Sequence, residues 1–196
     1  MAQGVEDRIR TQWDRGDLDG AATEAMNSYG PEIYGFLVAR MRQEGLATEA
    51  FSELGEDLWR GIGRFEWRST FRTWLYTLAR HAALRVERAP ERRRESVPLS
   101  HVSEMVERVR SETAPHLKTE NKEALLELRR ELDPDDQTLL TLRIDRRLGW
   151  NDIAMVMLDD LAPGDLPSGA ARVRQRFQKL KERLRRRARE VGLVPR

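Results

Sequence analysis

Apolar residues fall three and four apart along most of this chain, and long strand-like runs of Val, Ile and Thr are missing. Phe71, Trp74, Leu75, Leu78 and Ala82 keep that spacing, and Val173, Phe177, Leu180 and Leu184 keep it again near the C-terminus. A 3.6-residue period gathers such positions on one face of an α-helix, whereas a half-buried strand needs strict alternation. The pattern predicts an all-α fold. It breaks once, over residues 89–118, where three prolines stand in a stretch without sustained periodicity. Two small helical domains joined by a linker follow: residues 1–89, a linker at 90–118, and residues 119–196. Each domain has under about 100 residues, enough for one small core.

Local signals divide each domain. Asp19 can cap a helix through about Ser28, and Pro31 suits the first turn of a second helix through about Gln43. Gly45 is read as its stop. Thr48 can cap a third helix, to about Ile62, with Phe51, Leu54, Leu58 and Trp59 as its apolar stripe. The next helix starts at Ser69 or Thr70 and runs to about Arg88. There Phe71 and Trp74 point at a core, while Arg72, Tyr76 and Arg80, spaced by four, share another face. The linker holds one short helical stretch, Val102–Arg110. In the second domain the spacing predicts helices over Glu120–Leu132, from Pro134 to about Arg146, and over Trp150–Leu158. After the loop DDLAPGDLPSG, Ser168 caps a final helix to about Val191. Helices followed by a basic, Ser-capped one read as a helix-turn-helix domain.

Charge narrows the function. The net charge is only +2, yet Arg60–Arg94 holds ten arginines against three acids, and Arg172–Arg189 holds ten basic residues against one acid. Between them, His101–Asp136 holds ten acids against six bases. Two basic blocks suit two contacts with a polyanion, although charge runs also serve as solvated helix faces. There is no cysteine, and the three histidines are scattered, so no metal or other cofactor is expected. No paired acid and base, nucleophile–base set or phosphate loop is present, so no catalytic residue is assigned and an enzyme is not expected. No apolar run reaches the roughly 20 residues of a membrane helix, and the N-terminus lacks a signal-peptide core, so membrane insertion is not expected and a cytoplasmic location is.

The stretch RFEWRSTFRTWLYTLARHAALR, Arg64–Arg85, mixes five of the thirteen aromatic residues with arginines. Aromatic faces stack on unpaired bases and arginines contact phosphate. The bland alternative for Trp67 is packing onto the core. In the last helix Arg172, Arg174, Gln175, Arg176 and Lys179 follow Ser168. Arginine pairs with guanine, glutamine with adenine, and a helix N-terminus offers free N–H groups to phosphate.

These motifs resemble one family. Arg64–Arg85, with FRTWLYTLAR at its centre, is similar to region two of bacterial sigma factors of the extracytoplasmic-function (ECF) group. YGPEIYGFL at Tyr29–Leu37 resembles region 2.1. LDPDDQTLLTLRIDRRLGWNDIAMVM followed by ARVRQRFQKLKERLRRR resembles region four. The resemblance covers about residues 16–88 and 120–190. It implies a sigma factor, without an active site of its own, that directs core RNA polymerase to promoter DNA and opens it. A minus-ten and strand-opening site would use Arg64, Phe65, Glu66, Trp67, Arg68, Ser69, Arg72, Tyr76, Arg80, His81 and Arg85. A minus-thirty-five site would use Ser168, Arg172, Arg174, Gln175, Arg176 and Lys179. Glu49, Ser52 and Glu53 would face core polymerase, and an anti-sigma factor or other inhibitor is a candidate further partner that the sequence itself does not specify.

The chain departs from the family pattern at several places. His81 stands where many relatives have Asn, Arg85 where they have Asp, Ser52 where Gln is usual and Gly55 where Phe is common. A loop, Asp159–Asp165, stands where relatives have a tight turn; it is a tolerated surface loop, a device that tilts the last helix, or a site for a regulator. The alternative function is a sigma-like DNA-binding regulator that does not itself start transcription.

Overall fold

The computed structural model describes residues 2–88, 127–162 and 164–193. The chain divides into two compact units, residues 1–114 and 115–196. Every regular element among the described residues is helical. The linker at 90–118 and the short helix Val102–Arg110 lie outside the described residues. So does most of the helix expected at Glu120–Leu132, of which 127–130 are helical.

Among its described residues the first unit packs four helices: α1 (Ala2–Asp14), α2 (Leu18–Met41), α3 (Glu44–Gly61) and α4 (Phe71–Arg88). A single 3-10 turn, Ile62–Arg64, leads from α3 toward α4. The expected break at Pro31 is corrected: Pro31 lies inside α2. An internal proline costs about 3 kcal/mol in an isolated helix. Here the residues on both sides of it are core: Ala21, Ala22, Ala25, Met26 and Tyr29 before, Ile33, Tyr34, Phe36 and Leu37 after. Burying each large side chain returns about 1.5–3 kcal/mol, so packing outweighs the local penalty.

The caps shift accordingly. Asp17, rather than Asp19, caps α2 by accepting from the Gly20 N–H at 2.9 Å. Arg42, at φ 58°, turns the chain out of α2, so Gly45 ends no helix and instead sits in the first turn of α3. Thr48 is inside α3, where its hydroxyl meets Tyr34 Oη at 3.1 Å. Phe51, Leu54 and Leu58 are buried as their spacing predicts, whereas Trp59 is half-buried. Buried Arg40 ties α2 to α4 through Glu87 at 3.1 Å.

In the second unit Asp133 caps α5 (Pro134–Leu140), accepting from the Asp136 N–H at 2.9 Å, with Pro134 in the first turn where its missing N–H costs nothing. The helix runs on into a π-turn, Thr141–Asp145, closed by Arg146 N–H to Thr141 O at 3.0 Å. Helices α6 (Trp150–Met157) and α7 (Leu166–Glu190) follow. Leu139, Leu142, Ile153, Val156, Val173, Phe177 and Leu180 form the shared core. The start of α7 is corrected: Leu166 begins it, and Ser168, already in the helix, donates its hydroxyl to Asp165 O at 2.9 Å instead of capping.

Candidate nucleic-acid interface

In the first unit, the aromatic loop is anchored before it reaches solvent. Trp13 of α1 donates its indole N–H to Ile62 O at 2.9 Å, fixing the 3-10 turn. Phe65 stacks on Trp74, with ring centres 4.7 Å apart, and meets Phe71 edge-on at 5.2 Å. Trp67 takes φ 55°, a left-handed conformation that costs a bulky residue of order 1–3 kcal/mol. Its neighbours hold it there: Phe65 at 5.0 Å, Phe71 and Trp13 each at 6.0 Å. The Arg10 guanidinium lies 4.5 Å from the indole centre.

The start of α4 is held twice. Thr70 Oγ1 accepts from the Thr73 N–H at 3.0 Å. Glu6, from α1, accepts from the Phe71 N–H at 2.7 Å and the Arg72 N–H at 3.0 Å, placing a carboxylate at the positive end of the helix. Tyr29 donates its hydroxyl to the same carboxylate at 2.9 Å. Burial and then the Glu6 charge push the Tyr29 phenol well above its ordinary pKa, so it stays a donor.

In the second unit, the outward faces of α7 carry Ser168, Arg172, Arg174, Gln175, Arg176 and Lys179, all exposed. The helix is pinned beneath them. Arg176 donates to Asp136 at 2.6 Å and reaches Asp133 at 3.2 Å. Arg183 also donates to Asp136. Burial alone would raise the Asp136 carboxyl; hydrogen bonds from Arg176 and Arg183 overcome this and hold it below the usual Asp range. Trp150 meets Phe177 at 5.4 Å, with Arg143 and Arg174 guanidinium groups 4.4 and 5.7 Å from its ring.

Residues 25–94 match the family model for Sigma-70 region 2. Over that segment the chain is similar to sigma-70 region 2. Comparison with curated proteins gives no match. The matched segment spans most of α2, all of α3 and α4, and the aromatic loop between them, and it omits α1.

Within the first unit, the structure sorts the sequence candidates. Arg64, Glu66 and Arg68 are exposed, Trp67 and Ser69 are half-buried, and Arg68 pairs with Glu66 at 2.7 Å. Phe65 is corrected to the core, at 8% exposure, because it fills the gap between Phe71 and Trp74. The outward face expected for Arg72, Tyr76 and Arg80 is also corrected. Tyr76 is fully buried, edge-on to Phe36 at 5.3 Å, and Arg80 is 6% exposed. Arg72 is held by Glu32 of α2 at 2.6 Å. With α2 and α3 both packed against α4, a wide arc of α4 is covered. His81 is half-buried.

Arg85 is exposed but held, by Glu53 at 2.9 Å and by Asp57, both on α3. The Arg that departs from the family pattern therefore joins two helices and neutralises acids of its own chain. Glu49, Ser52 and Glu53, the residues that would face core polymerase, are all half-buried on α3: Glu53 lies under Arg85, and Ser52 Oγ donates to Thr48 O at 3.1 Å. Arg64 has no ion pair with a described residue. If single-stranded DNA binds this face, Arg64→Ala should reduce the slope of log affinity against log salt by about 0.7, and Arg85→Ala should leave it nearly unchanged. A titration series of oligonucleotide binding checks this; equal slope changes would contradict the sorting.

The α7 candidates sort likewise. Arg176 is engaged by the acids at the start of α5, and Arg172 by Asp160 at 3.4 Å. The Asp159–Asp165 loop is thus tied to α7 by a charge pair. It is tied again at Gly169, where an added Cβ would come within 2.5 Å of Leu161 Cδ1. Gln175 and Lys179 lie opposite the buried stripe of Val173, Phe177 and Leu180, with exposed Gln178 and Glu182 beside them. Those two polar residues and all of α1 stood outside the sequence candidates. Val5, Ile9 and Trp13, spaced by four, are the signal that would have found α1.

Proposed function

We propose that this protein is a sigma-70 family member and, within that family, an ECF-type sigma factor. It would act in the cytoplasm by directing core RNA polymerase to promoters whose minus-ten and minus-thirty-five elements it recognises. The observation that carries the reading is the region 2 match over residues 25–94, laid on a helical unit whose aromatic loop exposes Arg64 and Arg68 beside half-buried Trp67. The second unit supports it with the packed helices α5, α6 and α7, the last one long and basic. In this reading the loop binds the opened strand. Gln175 and Lys179, with Arg174, approach duplex base edges, and Arg172 and Arg176 contribute to the helix surface mainly through their acids. The α3 strip Glu49, Ser52 and Glu53 docks on core polymerase. An anti-sigma factor would act by covering one of these faces.

Purified full chain added to core polymerase should yield specific transcripts from promoters selected in vitro. Duplex binding without association with core polymerase would favour a regulator that does not initiate. Trp67→Ala should lower strand opening about tenfold, read by permanganate reactivity, with a smaller loss in closed-complex footprinting, because stacking contributes about 1–3 kcal/mol per base. Equal losses in both assays would assign Trp67 to packing alone.

A further inference from the structure

The helix α1 lies outside the segment matched to the family, yet it is built into the aromatic loop. Ile9 is fully buried and anchors it, Trp13 holds the 3-10 turn, and Glu6 holds the start of α4. Between these fixed points Arg10 projects onto Trp67. Its guanidinium centre is 4.5 Å from the Trp67 ring and 6.0 Å from that of Trp13, and its side chain is 49% exposed. Asp14 accepts from Arg10 Nε at 3.1 Å through both carboxylate oxygens. That contact takes the edge of the guanidinium.

We propose that Arg10 completes the single-strand site: its guanidinium, layered on Trp67, is a stacking surface for an unpaired base and a cation for the adjoining phosphate. This rests on the reading of the loop as a strand-binding element. The physical argument has three parts. Unpaired bases stack on arginine planes as well as on aromatic rings. A guanidinium seated on an indole is held in place by cation–π attraction, so little further side-chain freedom is lost on binding. Arg10 also adds positive charge to a loop whose Arg68 is partly neutralised by Glu66.

Asp14 gives the proposal a second handle. Its carboxylate offsets the Arg10 charge and lies where it would repel phosphate. Removing that charge should therefore strengthen binding, an effect that a purely structural contact would not produce.

The test uses the full chain and a fluorescent oligothymidylate, in a salt series. Arg10→Ala is expected to weaken binding about fivefold and to reduce the salt slope by about 0.7. Arg10→Lys should keep the slope but recover only part of the affinity, because an ammonium offers no plane. Asp14→Asn should tighten binding about two- to threefold. Circular dichroism and melting curves of each variant check that α1 remains folded. If Trp67→Ala loses affinity while both Arg10 variants bind as wild type, the loop binds DNA and the role of Arg10 is overturned. If the wild-type chain does not bind the oligonucleotide, and a bubble template with core polymerase present shows no effect of Trp67→Ala either, the strand-binding reading itself fails. Loss of affinity in Asp14→Asn would also overturn the proposal.

Discussion

Asp136→Asn is expected to destabilise the second unit by about 2–3 kcal/mol. Asp136 is 4% exposed and accepts from Arg176 at 2.6 Å and from Arg183, one helical face of α7 clasped by one carboxylate of α5. Breaking a buried ion pair by removing one partner typically costs about 3–5 kcal/mol. The expected loss is smaller here because Arg176 and Arg183 are 43% and 49% exposed and regain water. Amide hydrogen exchange along α7 in the full chain reads the effect directly, and unchanged protection would contradict it.

The same carboxylate predicts a pH dependence. Its folded pKa is depressed, so its contribution is fully present above the unfolded Asp value of about 3.9 and is lost as pH falls through the folded value. Wild-type α7 should lose protection as pH drops below about 4 more steeply than the Asn variant does. Arg176→Ala should show part of the same instability, since Arg176 spends its hydrogen bonds on Asp136 and Asp133. Any loss of duplex binding in that variant must be judged against its melting curve.

Glu6→Ala should destabilise the first unit by about 2–3 kcal/mol, on the order of 10 °C in melting temperature for a unit of this size. The carboxylate accepts two N–H groups at the start of α4 and the half-buried Tyr29 hydroxyl, and alanine leaves all three without it. Exchange at the Phe71 and Arg72 amides should rise selectively. Glu6→Gln should fall between the two, because an amide oxygen can replace only part of the carboxylate. If the Phe71 and Arg72 amides exchange as in wild type, the long-range cap does not operate.

Much of the helical architecture can be read along the chain because helix formation and amphipathic burial are local in sequence. Spacing alone points Phe71, Trp74, Leu75, Leu78, Val173, Phe177, Leu180 and Leu184 at cores; all are buried except Trp74, Leu78 and Leu184, which are half-buried. Local signals failed where a tertiary contact outweighed them. Pro31 is carried through α2 by core packing on both sides of it. Glu6 supplies a cap to α4 from 65 residues away, which no capping motif near Thr70 announces.

The candidate sites divide in the same way. The chemistry of the aromatic loop and of the basic last helix is written in residue types: rings that can stack, cations that can meet phosphate. Which cation is available is a matter of partners distant in sequence. Arg72 is spent on Glu32, Arg85 on Glu53 and Asp57, and Arg176 on Asp133 and Asp136, while Arg64 keeps its charge exposed. Tyr76 and Arg80 shared a face by spacing, but two helices pack across α4 and take that face inside. By itself the sequence determined the all-α class, most of the helical stretches, the two basic segments and the family resemblance, because periodicity and motif are properties of neighbours along the chain. Only the tertiary structure decided which aromatics are core, which arginines are neutralised and that α1 reaches Trp67, because burial and ion pairing are properties of neighbours in space.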